Sequence, residues 1–227
     1  MLSLNFLGCG AAFYPELGNT AAWFENKGHF YLLDCGGEIF CKVINVEKFK
    51  EAQKVTVILT HMHGDHVGGL SELISFLWFK RGIRVSVVYP DKRLDEYLKL
   101  TGIMKENYSR IEKLEGQDGI WAEPVPVIHD LSMGCYGYLI QDNKEKIYYS
   151  GDSQLVSENI IDCLRKGEFS RLYLDTAKYA SKESGHGNYE AMKERIETGL
   201  RHRVMCMHLD CDFRTELKKD GFSVPDI

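Results

Sequence analysis

The sequence of 227 residues lacks the features that mark a membrane, secreted or nucleic acid-binding protein. No apolar run approaches the roughly 20 residues that a transmembrane helix needs. The first residues, MLSLNFL, lack the basic start and long apolar stretch of a signal peptide. The 28 Lys and Arg are outnumbered by 33 Asp and Glu, and a net charge of −5 gives no general basic footprint for nucleic acid. We therefore expect no membrane partner, and RNA is a less favoured one.

The cysteines argue against a small secreted protein held together by disulfides. Their number, seven, is odd, and no C-x-x-C pair occurs among them. Thiols packed as small apolar side chains in a reducing cytoplasm are the interpretation that fits this usage. The composition is that of a globular protein, with 44% hydrophobic and 27% charged residues. Because no linker or repeat interrupts the chain, we predict a single cytoplasmic domain over residues 1–227.

Short apolar runs alternate with segments of helical periodicity, which predicts an α/β fold. The apolar runs predict strands at 55–60, 125–128, 136–141, 146–150 and 204–207. Helical spacing predicts helices at 38–50, 70–78 and 188–200. Loops that carry His or Asp follow several of the strands, which is typical of an α/β sandwich with its site along one edge.

The strongest chemical signal is the run from His61 to His66, HMHGDH, between a predicted strand and a predicted helix. It offers four metal ligands within six residues. Imidazole and carboxylate suit Zn²⁺ and also Mn²⁺. Adjacent side chains on a loop point in different directions, so His61 and His63 can share one metal while Asp65 and His66 face another. Each metal then needs ligands from distant segments.

Three residues at predicted strand ends can supply those ligands: His129, Asp152 and His208. His186, between two glycines, is a further candidate. The other two histidines, His29 and His202, are predicted to be ordinary surface or turn residues.

These motifs resemble the metallo-β-lactamase-fold hydrolases, and specifically the ribonuclease Z branch. The resemblance covers nearly the whole chain. Besides the single histidines, it is carried by 7–12 (LGCGAA), 18–20 (GNT), 33–36 (LDCG), 60–70 (THMHGDHVGGL), 136–138 (YGY) and 151–153 (GDS). Asp175 resembles the acidic element that precedes the extra histidine of that branch, here His186.

The resemblance implies a four-layer αββα sandwich with two divalent metal ions. One ion would be bound by His61, His63 and His129, and the other by Asp65, His66 and His208. Asp152 would bridge them. A hydroxide held between the metals would attack phosphorus. Asp65 would orient this hydroxide or accept its proton, and His186 would donate a proton to the leaving oxygen.

Within the branch, the spacing favours a small substrate. Ribonuclease Z carries a tRNA-binding arm between the positions of His129 and Asp152, and here these residues are only 23 positions apart, with a predicted hairpin between them. The chain is in this respect similar to cyclic-nucleotide phosphodiesterases, including compact phage enzymes that destroy cyclic-nucleotide defence signals. The resemblance also implies a homodimer.

The expected function is therefore a dinuclear-metal phosphodiesterase acting on a small or cyclic nucleotide. RNA 3′-end processing, ester or thioester hydrolysis, and metal binding without catalysis are the alternatives. Aromatic residues next to the motif loops are candidates for stacking a base: Phe13, Tyr14, Trp78, Tyr136 and Tyr179.

Overall fold

The computed structural model describes residues 2–181 and 184–227. Within these residues, twelve strands form two six-stranded sheets. The first sheet contains β1 (Asn5–Gly8), β2 (Ala21–Asn26), β3 (His29–Leu33), β4 (Lys54–Ile58), β5 (Val85–Val88) and β6 (Tyr108–Ile111). The second contains β7 (Leu114–Gln117), β8 (Ile120–Pro126), β9 (Tyr136–Gln141), β10 (Lys146–Tyr149), β11 (Arg171–Asp175) and β12 (Val204–Met207).

The helices lie between these strands. They are α1 (Ile39–Val43), α2 (Glu47–Glu51), α3 (Gly64–Val67), α4 (Leu70–Arg81), α5 (Arg93–Leu100), α6 (Glu158–Arg165), α7 (Tyr189–Arg195) and α8 (Arg214–Lys219). Short 3-10 helices cover Pro15–Leu17, Lys105–Asn107 and Thr198–Arg203. In the described part of the chain, no helix is long and apolar enough to cross a membrane.

Each sheet combines antiparallel and parallel pairing. Strands β3 to β6 are parallel to one another, and so are β10 to β12. The remaining neighbours, β1 to β3 and β7 to β10, pair antiparallel. The carboxyl ends of parallel strands meet at one edge of a sheet, so the loops that follow β4, β10, β11 and β12 can gather side chains from distant parts of the chain.

Alternation along the central strands builds the layers. In β3, Phe30 and Leu32 pack against the helices outside the first sheet, while Tyr31 and Leu33 pack between the two sheets. A third apolar layer, under α6, α7 and α8, covers the outer face of the second sheet. Burying one such side chain contributes roughly 1.5–3 kcal/mol. The predicted α/β sandwich with four αββα layers is confirmed.

Two predicted helices are shorter than expected. The segment 38–50 forms α1 and α2 with a turn between them, because Val43 and Phe49 are both buried. On one continuous helix, residues six positions apart are rotated by about 240° and could not face the same layer. The segment 188–200 forms α7, which ends where the buried Ile196 adopts an extended conformation.

The strand predicted at 125–128 is also displaced. β8 begins at Ile120 and ends at Pro126, and Ile128 beyond it is exposed. The strands β6 and β7 and the helix α8 were not predicted, because their short and largely polar sequences have no clear periodicity. Pairing with neighbouring strands, rather than local pattern, holds β6 and β7 in place.

The prediction that His29 is a surface residue is wrong. Its side chain is buried at the start of β3, with Nδ1 2.8 Å from Asp118 Oδ2 and Nε2 2.8 Å from Thr56 Oγ1. Asp118 lies in the turn between β7 and β8, and Lys54 at the start of β4 donates to it at 3.0 Å. This contact joins the hairpin turn of the second sheet to two strands of the first. His202, by contrast, is exposed as predicted.

We predict that Asp118→Ala lowers the free energy of unfolding by about 1–3 kcal/mol, because it removes the carboxylate that pairs with the buried His29 ring. Asp118 also has a positive φ of 52°, which Ala tolerates less well than Asp. Urea denaturation measures the change. The control is Lys54→Ala, which removes only the exposed partner and should cost below about 1 kcal/mol. Equal losses in the two variants would contradict the role assigned to Asp118.

Candidate metal centre

The HMHGDH run folds as a tight connection from β4 into α3. His63 is extended at the N-cap of α3, and its carbonyl accepts from the backbone N–H groups of His66 and Val67. Gly36 makes room for this turn, since a Cβ there would lie only 2.0 Å from the carbonyl oxygen of Asp65. The turn points His61 and His63 to one side and Asp65 and His66 to the other, as the sequence predicted.

The first group of side chains brings together His61, His63, His129 and Asp152. His63 Nδ1 lies 3.0 Å from His61 Nε2 and 3.1 Å from His129 Nε2. Asp152 Oδ2 is 3.7 Å from the Nε2 atoms of both His61 and His129. Four ligand atoms from three separate loops therefore converge on one point.

The second group contains Asp65, His66, Asp152 and His208. His66 Nε2 lies 3.2 Å from Asp65 Oδ2 and 3.2 Å from Asp152 Oδ1. His208 Nε2 is 3.3 Å from Asp65 Oδ2 and 3.3 Å from Asp152 Oδ2. Asp152, whose side chain is 3% exposed, stands between the two groups. The structure thus brings together all seven residues predicted as metal ligands.

His186 lies beside the second group. Its ring stacks on His208 with centroids 5.1 Å apart, and its Nδ1 donates to Asp175 Oδ2 at 2.9 Å. Asp175 is buried and also receives the backbone N–H of Ser153 at 3.1 Å. Burial would lower the pKa of His186, but the hydrogen bond and charge of Asp175 outweigh it and raise that pKa.

The buried carboxylates favour positive charge at this place. Burial would lower the pKa of His208, but the charge of Asp152, with contributions from Asp175 and Asp65, raises it to about 10. Burial would likewise lower the pKa of His66, yet Asp152 and Asp34 raise it well above its usual range. Because a divalent cation competes with protons for the same atoms, this electrostatic environment suits metal ions.

Two buried polar atoms without hydrogen bonds indicate that metal ions fit between these side chains. Within the described residues, His66 Nε2 and Asp152 Oδ1 are buried and make no hydrogen bond. Buried polar atoms are normally satisfied, so such atoms facing one another point to a ligand between them. Nitrogen and carboxylate oxygen donors in two adjoining groups are the ligand chemistry of zinc and manganese sites. The residues present therefore fit a dinuclear metal centre.

Partners behind the rings hold them in orientation. His66 Nδ1 donates to the fully buried Asp34 at 2.9 Å, and His129 Nδ1 donates to the carbonyl of Gly185 at 2.9 Å. His63 Nε2 lies 3.1 Å from Asp130 Oδ2. Asp34 and Asp175 belong to motifs that carry the family resemblance in the sequence. Asp130 was missed, although its position directly after His129 was a usable signal.

The groups open into a cavity of about 560 Å³. One part of its lining is formed by residues of the two groups and by the neighbouring histidine: His63, Asp65, His129, Asp152, His208 and His186. The rest of the lining is uncharged and includes Ala11, Ala12, Phe13, Asn19 and Gly37. Of the five aromatic residues predicted as candidates for stacking, Phe13 is in this lining, and it is 99% exposed.

Comparison with known proteins identifies the family. The family model described as "Anti-Pycsar protein Apyc1" matches residues 2–224. The chain belongs to the Apyc1 family. A relative of the same name from Bacillus phage BSP38 is 27% identical, over 96% of this chain and 93% of its own length. Another, from Bacillus phage 010DV004, is 24% identical, over 97% and 93%.

Solved structures confirm the predicted metallo-β-lactamase fold for this Apyc1 family member. YhfI, a metallo-β-lactamase fold protein from Bacillus subtilis, superposes with a TM-score of 0.74 at 18% identity. The match covers 98% of this chain and 95% of the YhfI chain. The short form of human tRNase Z, ELAC1, gives 0.71 at 18% identity, covering 98% and 96%. The predicted relationship to ribonuclease Z is therefore confirmed at the level of the fold.

We predict that Zn²⁺ raises the thermal midpoint of chelator-treated protein. An ion present at 100 times its dissociation constant stabilises the fold by about 2.7 kcal/mol, and 1 kcal/mol shifts the midpoint of a chain of this size by about 2–4 °C. Asp152→Ala should lose most of the shift, because Asp152 contributes to both groups. Asp142→Asn, in the β9–β10 turn, is the control and should keep it. An undiminished shift in Asp152→Ala would contradict the assignment.

Proposed function

We propose that this chain is a phosphodiesterase that binds two divalent metal ions and hydrolyses 3′,5′-cyclic nucleotides. The observation that carries the proposal is the position of Asp152 between two His/Asp groups at the base of one cavity. Family membership supports the substrate class, since the Apyc1 relatives are named anti-Pycsar proteins. We propose Zn²⁺ as the metal, with Mn²⁺ as the alternative for the same donors.

In this proposal His61, His63 and His129 would hold one ion and Asp65, His66 and His208 would hold the other. Asp152, which belongs to both groups, would contribute to both sites. When bound, the two divalent ions would activate water and neutralise charge on the phosphoryl oxygens. The remaining steps are those of the chain's own residues. Asp65, which lines the cavity, orients the attacking water or accepts its proton.

His186 is the proposed proton donor. Asp175 holds the ring by its Nδ1 and raises its pKa, which keeps a proton available. The ring also lines the cavity, and 34% of its side chain is exposed, so it can reach the leaving oxygen of a bound substrate. A group so placed contributes roughly 10²–10⁴-fold to the rate of a proton-transfer step.

The short connection between His129 and Asp152 supports a small substrate. Most of it is the β9–β10 hairpin, which packs into the second sheet. Small-molecule pockets of about 300–1,000 Å³ are usual, and the 560 Å³ cavity lies in this range. We also propose that the chain is one domain and a homodimer. Light scattering should then give twice its mass of 26.0 kDa.

We predict that protein loaded with Zn²⁺ or Mn²⁺ hydrolyses 3′,5′-cyclic nucleotides, measured by chromatography of the nucleoside monophosphates. Asp152→Ala should abolish turnover. His186→Ala should lower kcat by roughly 10²–10⁴-fold because it removes the proton donor. The control Asp142→Asn should turn over normally.

The same assay separates the alternatives. Cleavage of a precursor tRNA without cleavage of cyclic nucleotides would favour an RNA-processing enzyme and contradict the proposal. Hydrolysis restricted to carboxylic or thioesters would favour an esterase. Two bound metal ions with no turnover of any of these substrates would favour a metal-binding protein without catalysis.

We further predict that Phe13 stacks on the nucleotide base. Base–aromatic stacking is worth about 1–3 kcal/mol, so Phe13→Ala should raise KM for a cyclic nucleotide roughly 5–150-fold with kcat little changed. Phe13→Ala should hydrolyse 1-O-methyl ribose 3′,5′-cyclic phosphate, which has no base, with the same KM and kcat as the parent protein. Phe79→Ala is the control, because Phe79 is 75% exposed on α4 and does not line the cavity. Equal losses on both substrates would contradict stacking.

A further inference from the structure

The histidines of the two groups differ in their exposure to solvent. The side chains of His61, His66 and His208 are 1–2% exposed, and that of His129 is 6% exposed. His63 is the exception, at 37%. The first group therefore contains one ring that is partly open to solvent, whereas both rings of the second group are enclosed.

A single carboxylate fixes the exposed ring. His63 Nδ1 faces the other donors of the first group, so the proton of the ring is on Nε2 and can be donated outward. Asp130 Oδ2 lies 3.1 Å from this nitrogen. Such carboxylate–histidine pairs orient a ligand ring and make it a stronger donor. Asp130 is itself 31% exposed, so the pair lies at the edge of the site.

The loop that carries Asp130 is anchored to the segment between β5 and α5 and to the first residue of α5. Asp130 Oδ1 receives the backbone N–H of Ser132 at 2.7 Å, and Arg93 at the start of α5 donates to the Ser132 carbonyl. Further along the loop, Gly134 donates to Asp91 at 3.2 Å and accepts from the Tyr89 hydroxyl at 2.6 Å. Asp130 is thus held in place by elements outside the metal centre, and it follows directly after the ligand His129.

The second group is supported differently. His66 is backed by Asp34, which is 0% exposed, at 2.9 Å. His208 Nδ1 lies 3.5 Å from Oδ1 of Asp175, which is also 0% exposed, and this contact is an ion pair rather than a hydrogen bond. Buried partners exclude water from the back of both rings. Loss of an ion from this group would leave several buried charged or polar atoms without a partner, which is costly.

We infer that Asp130 is a positioning residue that sets the metal affinity of the first group, and that this group releases its ion more readily than the second. The inference rests on the proposed two-metal centre. It states which of the two ions is released more readily, and it assigns a role to Asp130, which is not one of the proposed metal ligands.

The test is the metal affinity of Asp130→Asn. Asn keeps the acceptor for the Ser132 N–H but places an amide N–H₂ against the N–H of His63, so the turn is preserved and the acceptor is lost. Asp142→Asn is a matched control, because Asp142 Oδ1 caps the N–H of Lys144 in the same way at 2.8 Å. Bound zinc is counted by elemental analysis, and the two affinities are measured by competition with a chromogenic chelator.

The parent protein and Asp142→Asn should bind two ions, one of them weaker. In Asp130→Asn the affinity of the weaker ion should fall roughly 10–100-fold, and that of the tighter ion should be unchanged. In a His63→Ala background, adding Asp130→Asn should have no further effect, because Asp130 acts through His63. A general structural defect would not give this dependence on His63.

Unchanged affinities in Asp130→Asn, or an equal loss of both ions, would overturn the inference. So would a loss that persists in the His63→Ala background. Because the readout is binding, its result is independent of the proposed activity. Split affinities without cyclic-nucleotide hydrolysis would overturn the proposed function alone, and absence of bound metal in the parent protein would overturn both.

Discussion

The structure depends on one buried carboxylate, Asp152, at the junction of two histidine groups. Burying a charge in a protein is costly unless it is paired, and Asp152 has histidine nitrogens of both groups within 4 Å. The ends of β4, β10 and β12 and the loop after β8 must therefore meet at this point. The two-sheet sandwich is the arrangement that brings them there.

The seven residues of the two His/Asp groups could be identified from the sequence, because a run such as HMHGDH cannot complete a metal site alone and requires partners elsewhere. His129, Asp152 and His208 were identifiable for this reason, and because each was predicted to follow a strand. The layered fold was also accessible, since β3, β4 and β5 are short apolar runs. The resemblance to a known family linked these two observations.

Other features depend on contacts between residues distant in the sequence, which local sequence patterns do not reveal. His29 is buried because Asp118, 89 positions later, meets it across the sheets. The break between α1 and α2 follows from the need to bury both Val43 and Phe49. The exposure of His63 and its contact with Asp130 arise only when the loop after β8 packs against the β5–α5 connection and the start of α5. The sequence pattern identifies the residues of the two groups, and packing determines how exposed and how well supported each side chain is.

In the proposed function, the two His/Asp groups act together as one hydrolytic centre. The most direct measurement adds Zn²⁺ or Mn²⁺ in steps to chelator-treated protein, while bound metal and the rate of cyclic-nucleotide hydrolysis are recorded on the same samples. We expect the rate to rise with bound metal and to reach its plateau at two ions per chain. A full rate without metal, or no turnover with two ions bound, would contradict it.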